Sequence, residues 1–299
     1  MKKPEKLKKG DKVALVCPAS RLYGDIHSAI ETLESWGLEV ILKNTTHSHF
    51  GTFSADDETR RKDLQECLDD PQIKAIIAAR GGYGMVRIID SIDFTVFSQV
   101  PKWIVGFSDI TVLHSHLYAV LKTCSIHGQM PSAFENSSDA ALQTLHKALF
   151  GKPLSYDYPP SSTLNRNGIA KGQLIGGNLA ILHALLGSAS DMNFTDKILF
   201  IEDVGEKVYN IDRMMWTLKR AGKLAQLKGL IVGGFTDLQF SKPPFHMDYK
   251  EIIYEKIKNY GYPVAFDFPA GHIEDNRSLI HGSEVDFKVS DSSISLLFN

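Results

Sequence analysis

The sequence predicts an α/β protein: an N-terminal parallel-sheet α/β domain over residues 1–150, a linker at 151–168 and a C-terminal mixed β/α, β-rich domain over 169–299. Three observations carry that reading. Short apolar runs alternate with amphipathic stretches through the first half, the pattern of a parallel sheet covered by helices. A Pro-, Ser- and Asn-rich stretch, "GKPLSYDYPPSSTLNRNG", interrupts the chain at 151–168. The second half is less regular, and its last 40 residues carry only short strand-like runs.

In order, "KVALVC", "LEVIL", "IKAIIAA" and "KWIVGF" read as strands. The stretches Asp25 to Trp36 and Asp56 to Leu68 read as the helices between them, and a Gly-rich turn with a short helix separates the last two. After "KWIVGF", apolar residues at Ile110, Leu113, Leu117, Val120 and Leu121 recur at near-helical spacing, and a further helix is expected over Asp139 to Phe150. Beyond the linker, "GIAKGQLIGG", "KILFIED" and "LKGLIVGGF" read as strands, with helices near Asn178 to Leu186, Asn210 to Ala221 and Tyr249 to Tyr260. The chain ends in "YPVAF", "SLIHG", "EVDFKV" and "SISLLF".

Composition narrows the function. With 33 Lys and Arg against 35 Asp and Glu, the net charge of −2 offers no broad positive field for nucleic acid or an anionic membrane, so a small substrate is expected. The apolar run Val13 to Cys17 is too short for a signal-peptide core and follows charged Asp11 and Lys12, which points to a cytoplasmic protein. Nothing approaches a transmembrane span. The three cysteines, Cys17, Cys67 and Cys124, are far apart and read as buried free thiols. Of the 11 histidines, His114 and His116 stand i, i+2, pointing to different sides of a helix. Without an H-e-x-x-H-type pattern, neither a metal nor another cofactor is expected.

Four polar clusters stand where strands end, the place where ligands gather in parallel α/β sheets. "RGGYG", from Arg80 to Gly84, could line an anion with backbone N–H groups or be a plain tight turn. Ser108 and Asp109, in "WIVGFSDIT", sit on a strand-to-helix turn. There a serine can cap the helix or stand clear of the sheet as a nucleophile. Glu202 ends an otherwise apolar strand, and His272 lies in the Gly-preceded loop "PAGHIEDNRS". Serine, acid, histidine is one known chain order of a nucleophilic triad, but the residues alone leave Glu202, Asp203 and Glu206 open as the acid. Alternating strand geometry points Glu202 and Asp203 opposite ways, and Glu206, past Gly205, suits a cap or a substrate contact.

"RGGYG", "VGFSDIT", "IGGNLAIL", "LFIEDVGE" followed by "YNIDRMMWTLKRAGKL", and "FPAGHIEDN" together resemble the signature segments of the LD-carboxypeptidases. These serine peptidases include muramoyltetrapeptide carboxypeptidase and the microcin C immunity proteins. The resemblance runs from about Lys12 to the C-terminus, in order and spacing. It implies a Ser-His-Glu triad assembled across the boundary between two domains, with Ser108 as nucleophile, His272 as general base and Glu202 as its orienting acid. It implies an oxyanion hole from the backbone N–H groups of Gly82 and Asp109, and commonly a homodimer, and Arg80, Tyr83 and Asn178 are expected substrate contacts. The implied reaction releases a terminal D-alanine from the L-centre of a diamino acid in a murein peptide, with no cofactor.

The chain departs from the family where Phe107 replaces a frequent tyrosine, where "HGQ" at His127 to Gln129 replaces "HGP", and where "RSLIHG" lacks a proline. The short spacing from Phe235 to His272 leaves little room for the nucleotide-gripping loop of the immunity-type members, which favours the wall-recycling activity. Cleavage of a peptidyl-nucleotide by an immunity-type enzyme is the alternative. Outside the family, a nucleotide- or sugar-phosphate-binding protein would use "RGGYG" and the following helix as an anion cradle, and a purely structural module would have no pocket joining Ser108 to His272.

Overall fold

The computed structural model describes residues 1–299. The first half runs β1 (Lys12–Val16), α1 (His27–Ser35), β2 (Glu39–Leu42), α2 (Asp57–Asp69), β3 (Ile73–Ala78), α3 (Thr95–Gln99), β4 (Trp103–Gly106), α4 (Thr111–Ala119), β5 (Ser125–His127) and α5 (Asp139–Leu149). The second half runs β6 (Ser155–Tyr158), β7 (Gly168–Asn178), α6 (Leu179–Ala184), β8 (Lys197–Val204), α7 (Val208–Arg220), β9 (Gly229–Thr236), α8 (Tyr249–Ile257), β10 (Val264–Ala265), β11 (Leu279–His281), β12 (Glu284–Val289) and β13 (Ile294–Phe298). Helix starts follow local chemistry: Asp56 accepts from Thr59 N at 2.7 Å, Ser138 accepts from Ala141 N at 3.0 Å, and Asp248 with Glu251 forms a capping box.

The fold is α/β, built on two sheets. The first has the order β11-β5-β4-β3-β1-β2, in which β2, β1, β3, β4 and β5 are parallel. The connections leaving β1 and β3 therefore diverge, opening a crevice at the strands' carboxyl ends. The second has the order β10-β9-β8-β7-β12-β13-β6, with β10 to β7 parallel and the remainder antiparallel. Central β8 lies between β7 and β9, and its alternating side chains enter two apolar clusters, Ile198 and Phe200 one and Leu199 and Ile201 the other, so "ILFIED" is buried throughout.

Two features depart from a simple division of the chain. The 151–168 segment, expected as a linker, carries β6, which pairs with β13 at the edge of the second sheet. Strand β11, from the far end of the sequence, pairs antiparallel with β5 and so completes the first sheet. One continuous cluster of 36 buried apolar residues accordingly includes Val13 and Trp103 of the first half and Phe200, Phe268 and Phe287 of the second. The three cysteines are free and buried.

Candidate active site

Strand β4 ends at Gly106, and the chain makes a 3₁₀ turn, Ser108–Ile110, before α4 begins. Ser108 has φ +62°, a left-handed conformation that costs an L-residue roughly 1–2 kcal/mol. Its hydroxyl caps nothing: Phe107 and Ile110 occupy the N-cap positions of the turn and the helix, and neither makes a side-chain cap. The helix-cap reading of Ser108 therefore fails, and the serine is partly exposed on a strained turn. Asp109 turns inward, and its Oδ2 accepts from Met85 N at 2.8 Å, tying the serine turn to the end of "RGGYG". Burial, against that N–H bond and the Arg60 charge, pushes the Asp109 carboxyl up to about 6.

The glycine turn is pinned against the serine. A Cβ on Gly81 would lie 3.0 Å from Ser108 Cβ and 3.3 Å from Ser108 Oγ, so any larger residue there would push on the serine turn. Gly82, at φ +95°, would place a Cβ 2.3 Å from Ser20 Oγ, and its own N–H has no acceptor in the protein. Ser20 N donates to Gly81 O at 3.1 Å, and Tyr83 N donates to Ser20 Oγ at 3.1 Å. Beneath, fully buried Arg60 donates through Nη1 to Pro18 O at 2.6 Å and Gly84 O at 3.0 Å. The loop after β1 and the turn after β3 thus form one rigid unit.

On the other side, Glu202 and Asp203 at the end of β8 take different partners. His272 Nδ1 donates to Glu202 Oε2 at 2.6 Å, because an ionised carboxylate can only accept. That bond fixes the tautomer and leaves Nε2 as the free acceptor. Gly271, at φ +114°, makes the contact possible, since a Cβ there would come within 2.8 Å of Glu202 Cβ. Burial lowers the affinity of His272 for a proton, but the Glu202 charge and hydrogen bond, with Asp203 and Asp237, outweigh it, so its pKa is raised. Glu202 is fully buried and its Oε1 has no partner. The Phe107 ring meets the imidazole edge-on at 4.8 Å between centroids, which sets His272 one residue from Ser108. Phe107, Gln129, Asn136, Thr236, Asp237 and His272 bound a cleft of about 660 Å³. Two other concavities, of about 350 and 520 Å³, include none of these residues.

The remaining sequence-predicted residues separate by location. Asp203 Oδ1 accepts from Asn178 Nδ2 at 2.9 Å and Oδ2 from Ala180 N at 3.0 Å, fastening the start of α6 rather than reaching the imidazole. Burial and the neighbouring Glu202 charge raise its carboxyl to about 7. Buried Asn178 also accepts from Ile181 N, so both ends of its amide are engaged. Glu206 accepts from Asn210 Nδ2 at 3.0 Å and caps no backbone group of α7. Arg80 lies over the Tyr23 ring at 4.3 Å, and Tyr83 is exposed beside Phe53. No group of three His, Cys, Asp or Glu side chains is arranged to hold a metal ion.

Sequence reasoning assigned no role to Asn276, although it stands in "FPAGHIEDN". Its Oδ1 accepts from Gly271 N at 2.8 Å and pairs with His127 Nε2 at 3.2 Å, and its Nδ2 donates to Gln129 Oε1 at 3.3 Å. It thereby anchors the His272 loop to the end of β5. Also missed was a buried group of imidazoles behind the site, His114, His127 and His281, with ring centroids 5.1 Å (His114–His281) and 6.2 Å (His127–His281) apart.

The LD-carboxypeptidase N-terminal domain family matches residues 13–128 and the C-terminal domain family matches 171–287. A Bacillus subtilis protein named "Probable murein peptide carboxypeptidase" is 34% identical over 90% of this chain and 86% of its own length. The chain belongs to the LD-carboxypeptidase family. Membership makes it a serine-type peptidase. The murein tetrapeptide carboxypeptidase of Pseudomonas aeruginosa is 28% identical over 91% of each chain. Among solved structures, muramoyltetrapeptide carboxypeptidase from Oxalobacter formigenes superposes with a TM-score of 0.87 at 28% identity, covering 96% of this chain and 98% of that one. The microcin C7 self-immunity protein MccF also superposes with a TM-score of 0.87, covering 98% of both chains, but at 19% identity, a likeness of fold alone. This LD-carboxypeptidase has no helix long and apolar enough to cross a membrane.

Proposed function

We propose that the protein hydrolyses the L,D-peptide bond of murein tetrapeptides, releasing terminal D-alanine during cytoplasmic cell-wall recycling, and that it works as a homodimer without a cofactor. The observation that carries the reading is the 2.6 Å bond from His272 Nδ1 to buried Glu202, set beside a strained, uncapped serine. His272 Nε2 takes the hydroxyl proton as Ser108 Oγ attacks the scissile carbonyl carbon, and Glu202 stabilises the imidazolium that forms. The N–H groups of Gly82 and Asp109 receive the developing oxyanion, where one donor is worth about 2.7–4 kcal/mol in transition-state stabilisation. The C–N bond then breaks, and the imidazolium returns its proton to the leaving amine. Water repeats the sequence on the acyl-enzyme and restores Ser108.

The murein peptide names of the two relatives support this substrate class over a peptidyl-nucleotide. Incubation with a tetrapeptide ending in D-alanine, followed by mass spectrometry, should show loss of one alanine residue. An intact tetrapeptide alongside a cleaved aminoacyl sulfamoyl nucleoside would favour the immunity-type alternative instead.

A further inference from the structure

Arg80 directly precedes the glycine that touches Ser108, and its guanidinium has no acidic partner. Its Cζ lies 4.3 Å from the centroid of the Tyr23 ring, and Arg21 Cζ lies 4.7 Å from the same centroid. On the far side of the turn, Arg60 and Arg87 are both paired with Asp57. Arg21 and Arg80 are left sharing one half-exposed ring with no counter-charge, an arrangement whose mutual repulsion an anion relieves. The pair stands in the crevice between the connections after β1 and β3, where the strand order of the first sheet reverses. The bonds from Ser20 to Gly81 and Tyr83 hold the two connections together, so the guanidiniums start from a fixed frame.

We infer that Arg80, supported by Arg21 on the Tyr23 ring, is the receptor for the substrate's terminal carboxylate. The inference rests on the carboxypeptidase reading of the cleft. In that reaction only the nitrogen and Cα of the leaving residue separate its carboxylate from the scissile carbonyl. A receptor must therefore lie close to the oxyanion turn, and Arg80 is the residue next to Gly81, where a Cβ would be 3.3 Å from Ser108 Oγ. Charge also favours the arginines. The cleft lined by His272 carries Asp237 and Glu274 and no Lys or Arg, so a carboxylate is disfavoured there and better matched by the unpaired guanidiniums. A guanidinium meets a carboxylate through two parallel N–H bonds, giving orientation as well as attraction.

The test compares the free-acid tetrapeptide with its C-terminal carboxamide. Wild type should cleave the amide with a kcat/KM about 10- to 100-fold lower, the range for losing a hydrogen bond to a charged group. Arg80→Ala should lower the free-acid rate by a similar factor, chiefly through KM, and lower the amide rate far less, so that the preference collapses toward one. Arg80→Lys should restore part of it, and Arg21→Ala should reduce it less. Preference retained in Arg80→Ala, or an equal loss on both substrates, would overturn the assignment. So would an Arg80 dependence that follows amidation of an internal carboxylate of the peptide. If wild type cleaves neither peptide, the peptidase reading itself fails and takes this assignment with it, a result distinct from retained preference.

Discussion

Replacing Glu202 with glutamine exchanges one oxygen for an NH₂ group in a side chain with no exposed surface. Either amide orientation is costly. With NH₂ toward His272, the imidazole must accept at Nδ1 and carry its proton on Nε2, where it can no longer take one from Ser108. With oxygen toward His272, the NH₂ lies where Glu202 Oε1 now finds no partner, and a buried unpaired donor costs about 1–3 kcal/mol. The 2.6 Å charge-assisted bond also disappears, which at about 1.5–3 kcal/mol accounts for roughly 10- to 100-fold in rate. Adding the tautomer error, turnover should fall by about 10⁴-fold, as for an acid-to-amide change in other serine-peptidase triads. Because Glu202 raises the His272 pKa, the acidic limb of any residual pH–rate profile should move to lower pH. Asp203→Asn, whose site binds Asn178 and a backbone N–H, should cost far less, and adding His272→Ala to Glu202→Gln should cost little more. Steady-state assay with circular dichroism as the folding control measures all of these. A Glu202→Gln enzyme within tenfold of wild type, beside an inactive Asp203→Asn, would refute the assignment of the acid.

Ser108→Ala should fold and be inactive; Ser108→Gly should be equally inactive but more stable than the alanine variant by up to about 1 kcal/mol in urea titration, because glycine adopts φ +62° without strain. Dialysis against EDTA should leave turnover unchanged, and a loss restored by zinc would contradict the serine mechanism. Burial lowers the pKa of His114 to about 4 and of His127 to about 3, and lowers that of His281 as well. The unfolded chain therefore binds more protons below pH 6.5. Stability from this group should be complete above pH 6.5 and fall by about 1.4 kcal/mol per pH unit for each imidazole as the pH drops toward 4 and 3. His272, with a raised pKa, acts in the opposite sense: its contribution is present below pH 6.5 and lost as the pH rises through its folded value. His281→Leu should flatten the acid dependence, since neither ring nitrogen has a partner to lose; unchanged acid sensitivity would show that these imidazoles do not set it.

Helices were legible where apolar residues recur at helical spacing, and strands where burial on both faces leaves a short apolar run, as in "ILFI". The turn at Ser108 was legible as a place but not as a choice, because a cap and a nucleophile use the same residue type. Its φ and the absence of a cap bond rule out the cap. Asn276, Ser20 and Arg60 were not legible, because each binds groups far along the chain and leaves no local period. His127 and Asn276, for instance, are 149 residues apart. The pairing of β6 with β13 was hidden by a Pro- and Ser-rich composition that also suits an edge strand.

Strand β11 makes the first sheet dependent on residues synthesised long after its other strands. As the chain leaves the ribosome, β1 to β5 emerge with the β5 edge unpaired, and Leu279–His281 cannot cover it until some 150 residues later. The same C-terminal segment, a few residues earlier, delivers His272 to Glu202. A nascent or truncated chain that carries the serine turn but lacks residues 272–281 therefore has neither the β11 edge of the first sheet nor the imidazole that Glu202 binds. Completion of the first sheet and the pairing of His272 with Glu202 wait on the same late segment and arrive together.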